Sequence, residues 1–124
     1  MSTFLLAAAA AATFNLSCDL HMKLVASHYT APMEADTRKT FRLDLAALRW
    51  CEGDCRETKP IVRVRDTLLI LIEDSDSRID AYESLTINRE SGRYDHHKRI
   101  NESSMDGKGF CKPMPFTGFP ARKF

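Results

Sequence analysis

The sequence predicts a mainly β protein, a small antiparallel meander or barrel-like domain stapled by disulfides. Three observations carry this. Apolar and polar residues alternate without a break from Phe14, later strand-like segments are separated by short turn-forming stretches, and the 124 residues include four cysteines. A chain of this length with 44% hydrophobic residues fills one modest core.

The first strand is the clearest. Phe14, Leu16, Cys18, Leu20, Met22 and Leu24 alternate with Thr13, Asn15, Ser17, Asp19, His21 and Lys23. A helix would scatter the apolar set around its circumference, whereas a strand gathers it on one face. Residues 31–36, with Pro32, break the pattern as a loop before Phe41, Leu43 and Leu45 resume it against Arg42 and Asp44. Val62 and Val64 then alternate with Arg63 and Arg65. The aliphatic run 68–72, bounded by Asp66, Glu73 and Asp74, reads as a strand buried on both faces. Leu85 and Ile87 begin another strand, and 89–94 is expected to turn a hairpin at Gly92, where a positive φ costs no Cβ clash. Residues 101–109 are polar and read as a loop. The tail, about 108–124, is expected to be irregular because of Pro113, Pro115 and Pro120, and to pack Phe110, Phe116, Phe119 and Phe124 back on the sheet.

The opening differs in composition. Residues 4–12 are wholly apolar or alanine, too short for the roughly 20 residues that span a bilayer as a helix. A signal peptide over 1–12 is expected, with Ala10, Ala11 and Ala12 offering small residues for cleavage, although no Lys or Arg precedes Phe4. The rival is an alanine-rich helix docked on the domain. The remainder, 13–124, is expected to be a single β-rich domain without a transmembrane segment in the mature chain, periplasmic or secreted. A lipid-attachment box at Leu16-Ser17-Cys18 is set aside, because Asn15 replaces a branched apolar residue and lipidation would leave an odd cysteine.

Cys51 and Cys55 enclose Glu52, Gly53 and Asp54, and a local disulfide is the natural reading. Residues four apart on an extended strand lie about 13 Å apart, beyond the roughly 7 Å a disulfide bridges, so the chain must curl at Gly53. Cys18 and Cys111 would then close almost the whole domain, a cross-link worth about 4–5 kcal/mol in the simplest chain-entropy account. Four cysteines allow three pairings, and spacing does not choose among them. A zinc site of Cys51, Cys55 and a histidine lacks a second close-spaced ligand pair, so neither metal nor cofactor is expected.

The net charge of +1 gives no field to draw in nucleic acid. His96 and His97 are adjacent, hence on opposite faces of a strand, and read as solvated. The acidic stretch 73–83 fails as a calcium loop because Arg78 stands at the third ligand position and no glycine follows; it reads as an exposed loop. Lys108, Lys112, Arg122 and Lys123 make the C-terminal end locally basic. No nucleophile elbow, phosphate loop or zinc-protease motif occurs, which weighs against an enzyme and names no catalytic residue. Trp50, Arg89 and Tyr94 are the candidate surface patch, since Trp, Tyr and Arg favour binding hot spots. The alternative places Trp50 in the core against a Cys51–Cys55 bridge.

The strings Arg49-Trp50-Cys51 through Cys55, Ile87-Asn88-Arg89 with Ser91-Gly92 and Tyr94, and Phe116-Thr117-Gly118-Phe119 resemble small exported bacterial proteins of unknown function, of alphaproteobacterial type. The resemblance implies a periplasmic address and no activity. The expected function is an exported, disulfide-stabilised binding or structural module of the cell envelope, with an envelope protein as partner. The alternatives are a small proteinaceous inhibitor of a hydrolase and, more distantly, a small hydrolytic enzyme.

Overall fold

The computed structural model describes residues 12–28 and 30–120, so that the segment read as a signal peptide lies outside the described residues except for Ala12, as do Arg122, Lys123 and Phe124. The strands are β1 (Thr13–Val25), β2 (Met33–Asp44), β3 (Arg49–Glu52), β4 (Lys59–Pro60), β5 (Arg63–Arg65), β6 (Leu68–Asp76), β7 (Ala81–Asn88), β8 (Arg93–Ile100) and β9 (Ser103–Met114). Among the described residues all nine form one antiparallel sheet in the order β4-β3-β2-β1-β9-β8-β7-β6-β5. Every neighbouring pair is consecutive in the chain except β1 with β9, so the fold is a meander whose first and last strands meet at its centre.

The sheet curls into a half-barrel. Its outermost strands, β4 and β5, are separated in sequence by Ile61 and Val62 alone. Ile61 N donates to Leu48 O at the β2–β3 turn, while Val62 N donates to Ile70 O on β6. Successive residues thus bond to opposite ends of the strand order, which requires those ends to approach one another. Curvature is also visible inside. The Phe41 ring on β2 lies 5.8 Å from that of Tyr94 on β8, across the interior from it, although β1 and β9 stand between them in the sheet.

The concave face holds the core. Leu16, Cys18 and Leu20 from β1, Phe41 and Leu43 from β2, Trp50 from β3, Leu69 and Leu71 from β6, Leu85 and Ile87 from β7 and Tyr94 from β8 are buried together with Ile61. In β1 and β2 these positions obey the period of two, as the sequence predicts. Leu69, Ile70 and Leu71 are all buried, in keeping with the two-faced burial expected of the aliphatic run, and a β-bulge shifts the register between Ile70 and Ile72.

Two disulfides are formed, Cys51–Cys55 and Cys18–Cys111. The first closes the turn at Gly53, whose φ is +60°. The second joins the paired positions of β1 and β9 and cross-links the sheet where the two ends of the chain meet.

Several local expectations are corrected. Residues 103–109 are not loop but the first half of β9, and much of the expected irregular tail is its second half. This strand sits between β1 and β8, so its backbone is paired on both sides without needing an apolar run. Glycine is required there: a Cβ on Gly109 would meet the carbonyl oxygen of Asp19 on the adjacent β1. Pro113 is tolerated because its ladder with β1 persists while β8 has already ended at Arg93, opposite Phe110. β2 begins at Met33, inside the expected loop, because its first residues pair with β1 while exposed on both faces. Leu85 and Ile87 end β7 rather than begin it. The acidic stretch is the β6–β7 hairpin, with a 3-10 turn at Ser77–Ile79. Beyond Met114 the chain crosses the convex face, where Arg42 Nη1 donates to Gly118 O at 2.9 Å and Phe116 stacks edge-on against Phe119 at 5.4 Å. Phe110 does not pack back and is exposed.

Candidate functional site: a recess at one end of the half-barrel

The two ends of the interior differ in chemistry. At the end where β1 enters and β9 leaves, Phe14, Leu16, Leu69, Ile87, Cys111 and Pro113 line a recess of about 200 Å³. Asn88, Arg89 and Gly92 of the β7–β8 hairpin form its rim. The recess lies where the half-barrel's apolar face reaches the β7–β8 hairpin. The hairpin itself is held by several hydrogen bonds. Asn88 Oδ1 accepts from the backbone of Glu90 at 2.8 Å and Ser91 at 3.0 Å, Gly92 N donates to Asn88 O at 2.8 Å, and Arg89 N donates to Thr67 O at 2.5 Å. Gly92 has φ +78°, and a Cβ there would stand 2.5 Å from the Cys111 carbonyl oxygen, so glycine satisfies both the turn and its close seat on β9.

Charge in the recess is carried by one residue. The lining contains no Asp or Glu, and Arg89 is its single cation. Arg38, Arg63, Arg78, Arg93 and Arg99 each face a carboxylate. Arg89 forms no ion pair or side-chain hydrogen bond among the described residues.

At the opposite end, the interior turns polar. His96 Nε2 donates to Glu83 Oε2 at 2.7 Å, and the Tyr94 hydroxyl donates toward His96 Nδ1 at 3.4 Å, a weak contact. Lys39 Nζ stands 3.8 Å from Glu52 Oε2 nearby. Burial pushes the Tyr94 phenol well above its ordinary range, with the charges of Glu52 and Glu83 adding to the effect. Tyr94 therefore stays protonated as a donor and supplies no phenolate nucleophile at neutral pH. No buried side-chain nitrogen or oxygen among the described residues lacks a hydrogen-bond partner.

The surface patch of Trp50, Arg89 and Tyr94 does not form. Trp50 and Tyr94 are 1% and 0% exposed, since both point into the concave face where large aromatics fill the curl. Trp50 packs against Phe41 at 6.1 Å and donates from Nε1 to Pro60 O at 3.2 Å. Arg89 alone of the three borders a site. His96 is likewise buried, not solvated, while His97 on the other face pairs with Asp106 at 2.5 Å. Of the recess residues, Phe14, Leu16 and Ile87 were legible as an apolar strand face, but no local signal marks them as lining a recess. Among the described residues no group of His, Cys, Asp or Glu is placed to hold a metal ion, and no helix is long and apolar enough to cross a membrane.

Comparison with protein-family profiles, curated proteins and solved structures finds no match to this chain.

Proposed function

We propose that this chain is an exported, disulfide-stabilised binding module of the cell envelope that receives an apolar group in the recess at the end of its half-barrel. The observation that carries the reading is the recess itself: an apolar, open-ended hollow of about 200 Å³ bordered by the hydrogen-bonded β7–β8 hairpin. An apolar cavity near 150 Å³ is large enough to hold benzene, so the space suits a small ring or short chain. Concave, largely apolar and pre-formed geometry of this kind is what small-ligand sites share. The paired cysteines support export, because disulfides persist in oxidising compartments.

Two measurements test it. The mature protein recovered from its native source should begin near Thr13, lie in the periplasmic or secreted fraction and titrate with no free thiol; a cytosolic chain with four free thiols overturns export. Titration of the isotope-labelled protein with 2-phenylethanol should move the amide resonances of Phe14, Leu16, Ile87 and Gly92. No movement of these resonances, or movement confined to other faces, overturns the site.

A further inference from the structure

We infer that the ligand of this recess is a small organic anion: one aromatic ring, or about six carbons of chain, bearing a carboxylate that the Arg89 guanidinium receives at the rim. The inference rests on the recess being the ligand site, and adds what the polar end of the ligand must be.

The apolar hollow selects only for size, so the sign of the ligand's charge must come from the rim. There the lining offers one charged group, positive, with no acid beside it among the lining residues. Five other arginines of the chain are bonded to carboxylates, Arg42 and Arg49 are bonded to backbone carbonyls, and Arg56 and Arg65, which like Arg89 form no such bond among the described residues, do not line the recess. The neighbouring acids Glu90 and Asp66 form no ion pair with Arg89, although Thr67 accepts its backbone N–H. Arg89 therefore brings a guanidinium with no bonded partner among the described residues to the lining of an apolar recess.

Its backbone is pinned at the same time. The bond to Thr67 on one side and the Asn88 turn on the other fix the Cα, so that only the side chain need order when a ligand arrives. A guanidinium matches a carboxylate with two parallel N–H donors, a geometry lysine does not offer. The preferred ligand then places its ring among Phe14, Leu16, Leu69 and Ile87 and its carboxylate outward at Arg89.

Matched probes separate this from the reading beneath it. Phenylacetate, 2-phenylethanol and 2-phenylethylammonium share a ring and differ in charge, and each is titrated into labelled protein while the amides of Phe14, Leu16, Ile87 and Gly92 are followed. Phenylacetate should bind roughly tenfold more tightly than the alcohol, the scale of one charge-assisted hydrogen-bonded contact. In Arg89→Gln that ratio should fall to about one, with Arg89→Lys intermediate and the ligand-free spectra of both variants retaining the native dispersion. Equal binding of acid and alcohol, tighter binding of the ammonium, or a ratio unchanged in Arg89→Gln would overturn the anionic ligand and leave the recess standing as an apolar site. Failure of all three probes to move these resonances removes the recess itself, and the inference with it.

Discussion

Residues 14–20 and 21–25 belong to one unbroken strand, yet they are held by different physics. In the first stretch Leu16, Cys18 and Leu20 lie against Phe41 and Leu43 in the core, and Cys18 is bonded to Cys111. In the second, Leu24 and Val25 are exposed, and the facing residues Met33–Thr37 of β2 are exposed on both sides. What continues is the backbone ladder, with outer-face cross-strand pairs from His21 to both Glu34 at 2.9 Å and Asp36 at 2.8 Å. Exposed pairs of this kind contribute little each. The comparison teaches that strand geometry and core membership are separable: hydrogen bonding extends a strand past the point at which burial stabilises it.

The largest expected effect is therefore in the body. Replacing Cys18 and Cys111 together by alanine opens a cross-link spanning 93 residues of sequence and should cost about 4 kcal/mol in a denaturant titration, with the folded spectrum retained under mild conditions. A loss under about 1 kcal/mol would mean that burial alone holds the ends of the chain together.

Gly92→Val should come next, at about 2 kcal/mol or more, because it combines a positive φ with a Cβ 2.5 Å from the Cys111 carbonyl oxygen. Gly53→Val is its internal control. There φ is +60° but nothing lies within 4 Å, so the loss should be about 1 kcal/mol. Equal losses at the two positions would show that the close seat of the β7–β8 hairpin on β9 contributes nothing.

The smallest effect is expected at the exposed end of the β1–β2 pair, through His21. Its bonds to Glu34 and then Asp36 raise its pKa above the ordinary 6.5. A raised folded-state value means that the stabilisation is complete below 6.5 and is lost as pH climbs through the folded value. Amides of β2 near Glu34 should accordingly be better protected at pH 5.5 than at pH 8, after correction for intrinsic exchange. Ring titration of His21 with a midpoint at or below 6.5 would remove the effect.

Much of this architecture was legible in the residues. The alternation from Phe14, the two-faced burial of 68–72 and the positive φ at Gly92 all report local conditions that a strand or turn imposes on its own side chains. The misplaced elements have a shared cause. Residues 103–109 and 33–36 are strand because neighbours hydrogen-bond to them, and a ladder leaves no mark on side chains that are not buried by it. The aromatic patch failed for a related reason: Trp50 and Tyr94 have the chemistry of a binding surface, but which way they point depends on the curl of the sheet.

By itself, then, the sequence determined a β class, the period of its strands, a turn at Gly53 and another at Gly92, since each follows from the stereochemistry of a few adjacent residues. The tertiary structure alone decided that β1 and β9 lie side by side, that Cys18 meets Cys111, and that one end of the interior holds a recess with Arg89 in its lining. Those outcomes rest on contacts between residues far apart in the chain, whose pairing is set by the closure of the whole sheet and by no segment within it.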